Sequence, residues 1–173
     1  MRTVRELQPI AQRLDGFAFA KQMGPFVLMQ RPDTKAKAPG GDDWATETAP
    51  LPHGAVRPSH APVDYEDLLI ATLPPPAKDG SLQLIVGRSP DCDVVLVDAA
   101  VSQKHAAIEW DGRTGVLREL GSANGTFLNG IRIGSRAVLR TGDELSFGDS
   151  HFVYLLSGEL HARLLRRWPD PKP

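Results

Sequence analysis

Between Leu82 and Leu156 the chain never sustains an apolar run for more than a few residues before a turn-forming pair breaks it. The runs are Leu82–Val86, Val94–Val97, Ala106–Trp110, Val116–Leu120, Phe127–Leu128, Ile131–Ile133, Val138–Leu139, Glu144–Phe147 and Phe152–Leu156. Asp111-Gly112, Asn124-Gly125, Asn129-Gly130, Gly142-Asp143 and Gly148-Asp149 punctuate them. Short strands at this pitch, joined by Gly, Asn and Asp turns, build antiparallel sandwiches. In Leu82-Gln83-Leu84-Ile85-Val86 the side chains of Leu84 and Val86 share one face, because strand side chains alternate. Leu68-Leu69-Ile70 reads as an earlier strand, ended by Pro74-Pro75-Pro76. The fold class expected is all-β, an antiparallel β-sandwich over residues 65–157.

Loops between such strands usually carry function. Here they hold Gly87-Arg88, then Ser102-Gln103-Lys104-His105, then Ser122-Ala123-Asn124-Gly125-Thr126 and Asn129-Gly130. One Arg, one Ser and one Asn suit the gripping of an anion without chemistry on it. Arg offers several donors in a planar fork, and charge-assisted bonds are about twice as strong as neutral ones. Gly87 lets the end of its strand approach another backbone closely. Asn124-Gly125 and Asn129-Gly130 are turn dipeptides, because both residue types tolerate positive φ. For Asn129-Gly130 the turn is the whole reading.

In this order, Gly-Arg, Ser-x-x-His and Ser-x-Asn-Gly-Thr-x-x-Asn-Gly resemble the forkhead-associated (FHA) family, whose members bind phosphothreonine peptides. The resemblance covers roughly Asp64 to Ser157, about half of the chain. It implies an eleven-stranded sandwich in which Arg88 and Ser102 contact phosphate and Asn124 bonds the ligand's backbone. It also implies that His105 buttresses the loop rather than acting in catalysis. Lys104 adds positive potential near the site or is merely solvated. Two positions depart from the family pattern. Ala123 stands where Thr or Ser often helps hold the phosphate, and Gln103 stands where Arg or Asn is frequent. A missing neutral donor costs on the order of 1 kcal/mol, which weakens binding without abolishing it. The function implied is a phosphothreonine-dependent adaptor or regulator in Ser/Thr kinase signalling. The alternative is a scaffold that keeps the fold but not the phosphate dependence, with Ala123 as its support. An enzyme using Ser102 and His105 as nucleophile and base is disfavoured, since no oxyanion motif or orienting acid accompanies them.

The flanks are of a different character. Within residues 1–32, Thr3-Val4-Arg5-Glu6 fits a capping box ahead of helically spaced Val4, Leu7, Ala11 and Leu14. Gly16 can stop that helix, Phe17 and Phe19 then alternate, and Phe26-Val27-Leu28-Met29 reads as a strand. This helix–strand extension is too small for a core of its own, so it packs on its own FHA domain or on a partner. The sequence before Gly87 is short for the family pattern, so the first strands are either trimmed or supplied by residues 26–31. Residues 33–64, rich in Pro and Gly, read as a linker, whose Thr46 or Thr48, once phosphorylated, could occupy the protein's own site. Residues 158–173 read as a basic tail with a short helix on Leu160, Leu164 and Trp168.

A formal net charge of −1 gives no field to draw the chain to nucleic acid or an anionic membrane. No run approaches the ~20 apolar residues that span a bilayer. A single cysteine, Cys92, excludes an internal disulfide and a four-cysteine metal site. No metal, cofactor or catalytic group is expected, and a cytoplasmic location fits.

Overall fold

The computed structural model describes residues 2–30, 69–70, 77 and 79–166. In chain order the elements are β1 (Arg2–Thr3), α1 (Val4–Arg13), α2 (Gly16–Met23), β2 (Phe26–Gln30), β3 (Leu69–Ile70), β4 (Leu82–Gly87), β5 (Val94–Val95) and β6 (Ala106–Trp110). There follow β7 (Gly115–Glu119), β8 (Thr126–Leu128), β9 (Ile131–Arg132), β10 (Arg136–Leu139), β11 (Glu144–Phe147), β12 (Ser150–Leu156) and α3 (Ser157–Leu165). Seven strands form one sheet, ordered β1-β3-β2-β12-β11-β8-β9, and five form the other, ordered β10-β7-β6-β4-β5. The pairings are antiparallel except that of β4 with β5, where Val86 lies opposite Val94 in a short parallel register. The β-sandwich is therefore as expected, with one parallel edge that the turn signals did not announce. The run at Val94–Val97 is strand only to Val95, and Val97 is fully exposed.

Alternation explains the core. In β4, Leu82, Leu84 and Val86 point inward and Gln83 points to solvent. They meet Ile108 and Leu117 of their own sheet and Leu145, Phe147 and Phe152 of the facing one. Strands β2 and β12 differ, being apolar on both faces. Phe26 and Leu28 of β2, with Phe152 and Tyr154 of β12, enter the sandwich core. The intervening Val27, Met29, Val153 and Leu155 enter a second core with Val4, Leu7, Ala11, Phe19, Met23, Leu160 and Leu164 of the three helices. A strand buried on both faces reads as a continuous apolar run, as Phe26–Met29 and Phe152–Leu156 do.

The N-terminal segment thus supplies a strand to the sandwich. β2 pairs with β12 over five residues, from Phe26 opposite Leu156 to Gln30 opposite Phe152. The capping box closes α1 as its sequence implies: the Glu6 N–H donates to Thr3 Oγ1 at 3.3 Å, and the Thr3 N–H donates to Glu6 Oε2 at 2.9 Å. The next stretch corrects the sequence reading. Helix α1 ends at Arg13 rather than at Gly16, and Phe17 and Phe19 lie in a second helix, not in an extended alternation. Asp15 starts that helix by accepting the Ala18 N–H at 2.8 Å. Helical spacing then buries Phe19 and Met23 and leaves Phe17 83% exposed.

Helix α3 is fastened to the same cap. The Ser157 hydroxyl donates to the Gly24 carbonyl at 2.6 Å. His161 Nε2 lies 3.1 Å from the Ala11 carbonyl and 2.9 Å from that of Leu14, at the end of α1. Leu160 and Leu164 are buried as expected, and Trp168 falls outside the described residues, as do residues 33–64, which the sequence reads as a linker. Among the described residues no helix is long and apolar enough to cross a membrane.

Deleting residues 1–30 removes β2 and two helices and uncovers Val153 and Leu155. Loss of one large buried side chain costs about 2–5 kcal/mol, and the deletion removes Leu7, Phe19, Phe26 and Leu28, all fully buried. The sum exceeds the ~5–15 kcal/mol that holds a typical domain together. The truncated protein is expected to lack a cooperative thermal transition by circular dichroism; a melting temperature equal to that of the full chain contradicts this.

Candidate ligand-binding site

The strand registers gather the predicted loops at one end of the sandwich. Thr126, where β8 begins, lies opposite Phe147, where β11 ends. Ala106, where β6 begins, lies opposite both Val86 near the end of β4 and Glu119 at the end of β7. Loops 88–93, 96–105 and 120–125 and the turn at 148–149 therefore share that end. The Arg88 and Ser89 N–H groups donate to the Ser102 and Gln103 carbonyls at 2.9 and 3.0 Å. Gly87 is what permits this approach. A Cβ there would overlap the Gln103 carbonyl and come within 2.9 Å of Cys92 Sγ. The Cys92 thiol, whose ionisation burial makes harder, donates to the same carbonyl at 3.1 Å.

His105 is fully buried beneath the loops. Its Nδ1 accepts the Ser102 backbone N–H at 3.2 Å, which places the ring proton on Nε2, 3.1 Å from the Gly125 carbonyl. One ring thereby joins the 96–105 loop to the 120–125 loop. Both nitrogens are engaged with backbone, so His105 is not paired with the Ser102 hydroxyl as a nucleophile's base is.

Arg88, Ser102, Gln103, Lys104 and Asn124 lie together at this end of the sandwich. Arg88 is anchored by Nε donation to the Val101 carbonyl at 3.2 Å, and no carboxylate among the described residues forms a salt bridge with it. Ser102 Oγ accepts the Ala123 N–H at 3.0 Å, which leaves its own proton to donate. Asn124 Nδ2 donates to the Ala100 carbonyl at 2.7 Å and holds the exposed amide in place. Gln103 and Lys104 project from the same loop with exposed side chains. Gly125 has a φ of 84°, in the left-handed region. Asn129 and Gly130 are not part of this end. They form the β8–β9 turn at the opposite end, with φ of 51° and 77°, where Asn129 bonds Asp143 and the Glu144 N–H.

Two carboxylates that position the loops escaped the sequence reading. Asp98 accepts the Ala100 N–H and the Asp149 N–H, each at 2.8 Å. It therefore fixes the 98–101 turn, whose carbonyls hold Arg88 and Asn124, against the β11–β12 turn. Glu119 accepts the Ser122 N–H through one oxygen and the Thr126 hydroxyl through the other. A Glu closing a strand, with Ser and Thr three and seven residues on, was the available signal. Burial pushes the Glu119 carboxyl up, but hydrogen bonds from Thr126 and Ser122 outweigh it and hold the group below its ordinary value of 4.5.

A depressed carboxylate contributes stability that is complete above its unfolded value and is lost as pH falls through the folded one. Amide protection of residues 122–126 is therefore expected to be flat at neutral pH and to fall only as the pH drops below the ordinary carboxylate value of 4.5. In Glu119→Gln the loop should be less protected at neutral pH and lose this acid step. An unchanged acid profile in that variant, followed by hydrogen exchange, contradicts the assignment.

With this geometry in place, comparison with known proteins is specific to the same region. The FHA domain profile matches residues 84–148. The glycogen accumulation regulator GarA of Mycolicibacterium smegmatis is 41% identical over 69 residues, 40% of this chain and 43% of GarA. The transcriptional regulatory protein EmbR of Mycobacterium tuberculosis is 37% identical over 76 residues, 44% of this chain and 20% of EmbR. A solved structure of M. tuberculosis EmbR in complex with a low-affinity phosphopeptide aligns with 43% of this chain and 20% of that one, at 35% identity and a TM-score of 0.42. The chain spans less than half the length of either curated relative. The matched segment contains every residue that the sequence motifs and the geometry assign to the site: it is residues 84–148 that match the FHA domain.

Proposed function

We propose that the chain is a phosphothreonine-dependent interaction module, a cytoplasmic adaptor or regulator in Ser/Thr kinase signalling. The observation that carries this reading is the pairing of Arg88 with Ser102. The guanidinium is tethered at Nε and open at its outer nitrogens. The neighbouring hydroxyl already has its oxygen satisfied by Ala123 N–H, so it is set to donate. A phosphothreonine, with a charge of about −1.5 to −2 and strong acceptor oxygens, satisfies both. Asn124 then binds the peptide backbone, and Gln103 and Lys104 border the ligand. The Ala123 side chain offers no donor, but its backbone N–H orients Ser102, so the departure at this position costs affinity rather than the site. No catalytic role falls to Ser102 or His105.

Arg88→Ala deletes charge-assisted bonds of roughly 1.5–3 kcal/mol and is expected to weaken phosphothreonine-peptide binding by more than about tenfold. Ser102→Ala should cost less, and Ala123→Thr should tighten binding several-fold. Titration of each variant with a phosphopeptide library and its unphosphorylated twin decides the matter. Equal affinity of Arg88→Ala and wild type, or equal binding of the two libraries, favours the phosphate-independent scaffold instead.

The topology favours one further occupant of this site. Thr46 and Thr48 lie outside the described residues, but both ends of their segment are placed. Gln30 lies opposite Phe152, two residues from the start of β12, and Ile70 of β3 lies opposite Met29. The described residues on either side of the segment, Gln30 and Leu69, therefore lie toward the end of the sandwich that carries Arg88. Thr48 stands about 20 residues before Leu69, and a linker of that length would span ~25 Å if it behaved as a Gly/Ser-type coil. Tethering at this reach gives an effective concentration of about millimolar. Phosphorylation at Thr46 or Thr48 is expected to shift the backbone amides of Arg88, Ser102 and Asn124 and to weaken binding of an external phosphopeptide. Unmoved amides, read by NMR, rule out self-binding and leave the phosphopeptide reading standing.

A further inference from the structure

We infer that Arg132 forms a second anion subsite beside the phosphothreonine pocket and selects ligands with another negative group near the phosphothreonine. The inference rests on the phosphopeptide reading above.

Arg132 ends β9 and is paired with Phe127 across the β8–β9 hairpin. Gly125 stands two residues before Phe127, so Arg132 and Gly125 are diagonal neighbours on one face of the sheet. The side chain follows that diagonal toward the loop. A Cβ on Gly125 would overlap Arg132 Nε and lie 3.0 Å from both Cζ and Nη2. The guanidinium thus lies directly over the glycine next to Asn124. Glycine is needed there on two counts, its positive φ and the space for this side chain.

Arg132 is exposed, and no carboxylate among the described residues forms a salt bridge with it. Of the carboxylates at this end, Glu119 and Asp98 accept from loop N–H and hydroxyl groups, Asp93 from the Ile85 N–H and Asp91 from the Ser89 hydroxyl. Arg88 and Arg132 therefore flank Asn124, and neither forms a salt bridge among the described residues. Asn124 holds the ligand's backbone, and an extended peptide advances ~3.3 Å per residue. Arg132 then faces a side chain about one to three residues from the phosphothreonine, given a Cα–Cα step of about 3.8 Å between Asn124 and Gly125. A guanidinium matches a carboxylate or a phosphate in the same bidentate manner, so the partner group is an Asp or Glu, or a second phosphorylated residue.

The test uses the full chain and fluorescein-labelled phosphothreonine peptides with neutral flanks. Asp, or in a second set phosphoserine, is scanned through the positions on either side. Wild type is expected to bind one or two Asp-bearing peptides about three- to tenfold more tightly than the neutral peptide. Arg132→Gln should erase that gain, leave affinity for the neutral peptide unchanged, and leave the thermal transition in place. A gain confined to the phosphoserine set assigns the subsite to a second phosphate, and a gain in both assigns it to either anion. The inference is overturned if Arg132→Gln lowers neutral and acidic peptides equally, or if no position shows a gain. Failure of wild type to bind any of these peptides overturns the phosphothreonine reading with it, an outcome that Arg132→Gln alone cannot produce.

Discussion

The end of the sandwich that carries Arg88, Ser102 and Asn124 depends on one buried imidazole. A polar ring without solvent contact must have its nitrogens satisfied by protein, and those of His105 find partners only in two different loops. Its edge-to-face contact with Phe147, at 5.7 Å between ring centroids, ties the same ring to the sandwich core. The spacing between Ser102 and Gly125 is thereby set by a rigid side chain resting on the hydrophobic interior. The surface groups then need little freedom of their own. Arg88, Ser102 and Asn124 are each tethered by one hydrogen bond to backbone, which lowers the entropy to be lost when a ligand arrives.

The sandwich supplies the rigidity behind that ring. β12 is clamped on both faces, by the facing sheet on one side and the helical cap on the other. Through β11 its position passes to β8 and so to Thr126, the residue after Gly125. Helices far from the site in sequence thus steady a loop they do not touch. Asp98 closes the circuit at the binding end by joining the turn after β11 to the loop that holds Arg88 and Asn124.

Much of this was legible in the chain. Alternation in Leu82–Val86 named an inward face that the structure uses, and the Gly87-Arg88, Ser102-x-x-His105 and Asn124-Gly125 islands landed at one end of the fold, while Asn129-Gly130 went to the other. What stayed hidden depends on partners distant in sequence. Nothing local says that Asp98 meets the turn 51 residues later, or that Arg132 lies back over Gly125. Phe17-Ala18-Phe19 alternates like a strand, and only the combination of an Asp15 cap and an apolar outer sheet face makes it a helix. The strand at Phe26–Met29 could be recognised, but its place beside β12 could not, because an apolar run carries no address.

That placement bears on how the chain acquires its shape. Gly24 and Ser157, which bond where β2 and α3 meet, are 133 residues apart, and His161 reaches back 150 residues to Ala11. Contacts of such separation carry a large loop-closure cost and belong to slowly folding topologies. Synthesis produces β2 long before its neighbour β12, so an apolar strand must wait with the edge that β12 covers unsatisfied until the strands between them have been made. Such a strand is a template for pairing with other chains. The β2–β12 seam is therefore both a late part of the fold to close and a place where aggregation competes with folding directly.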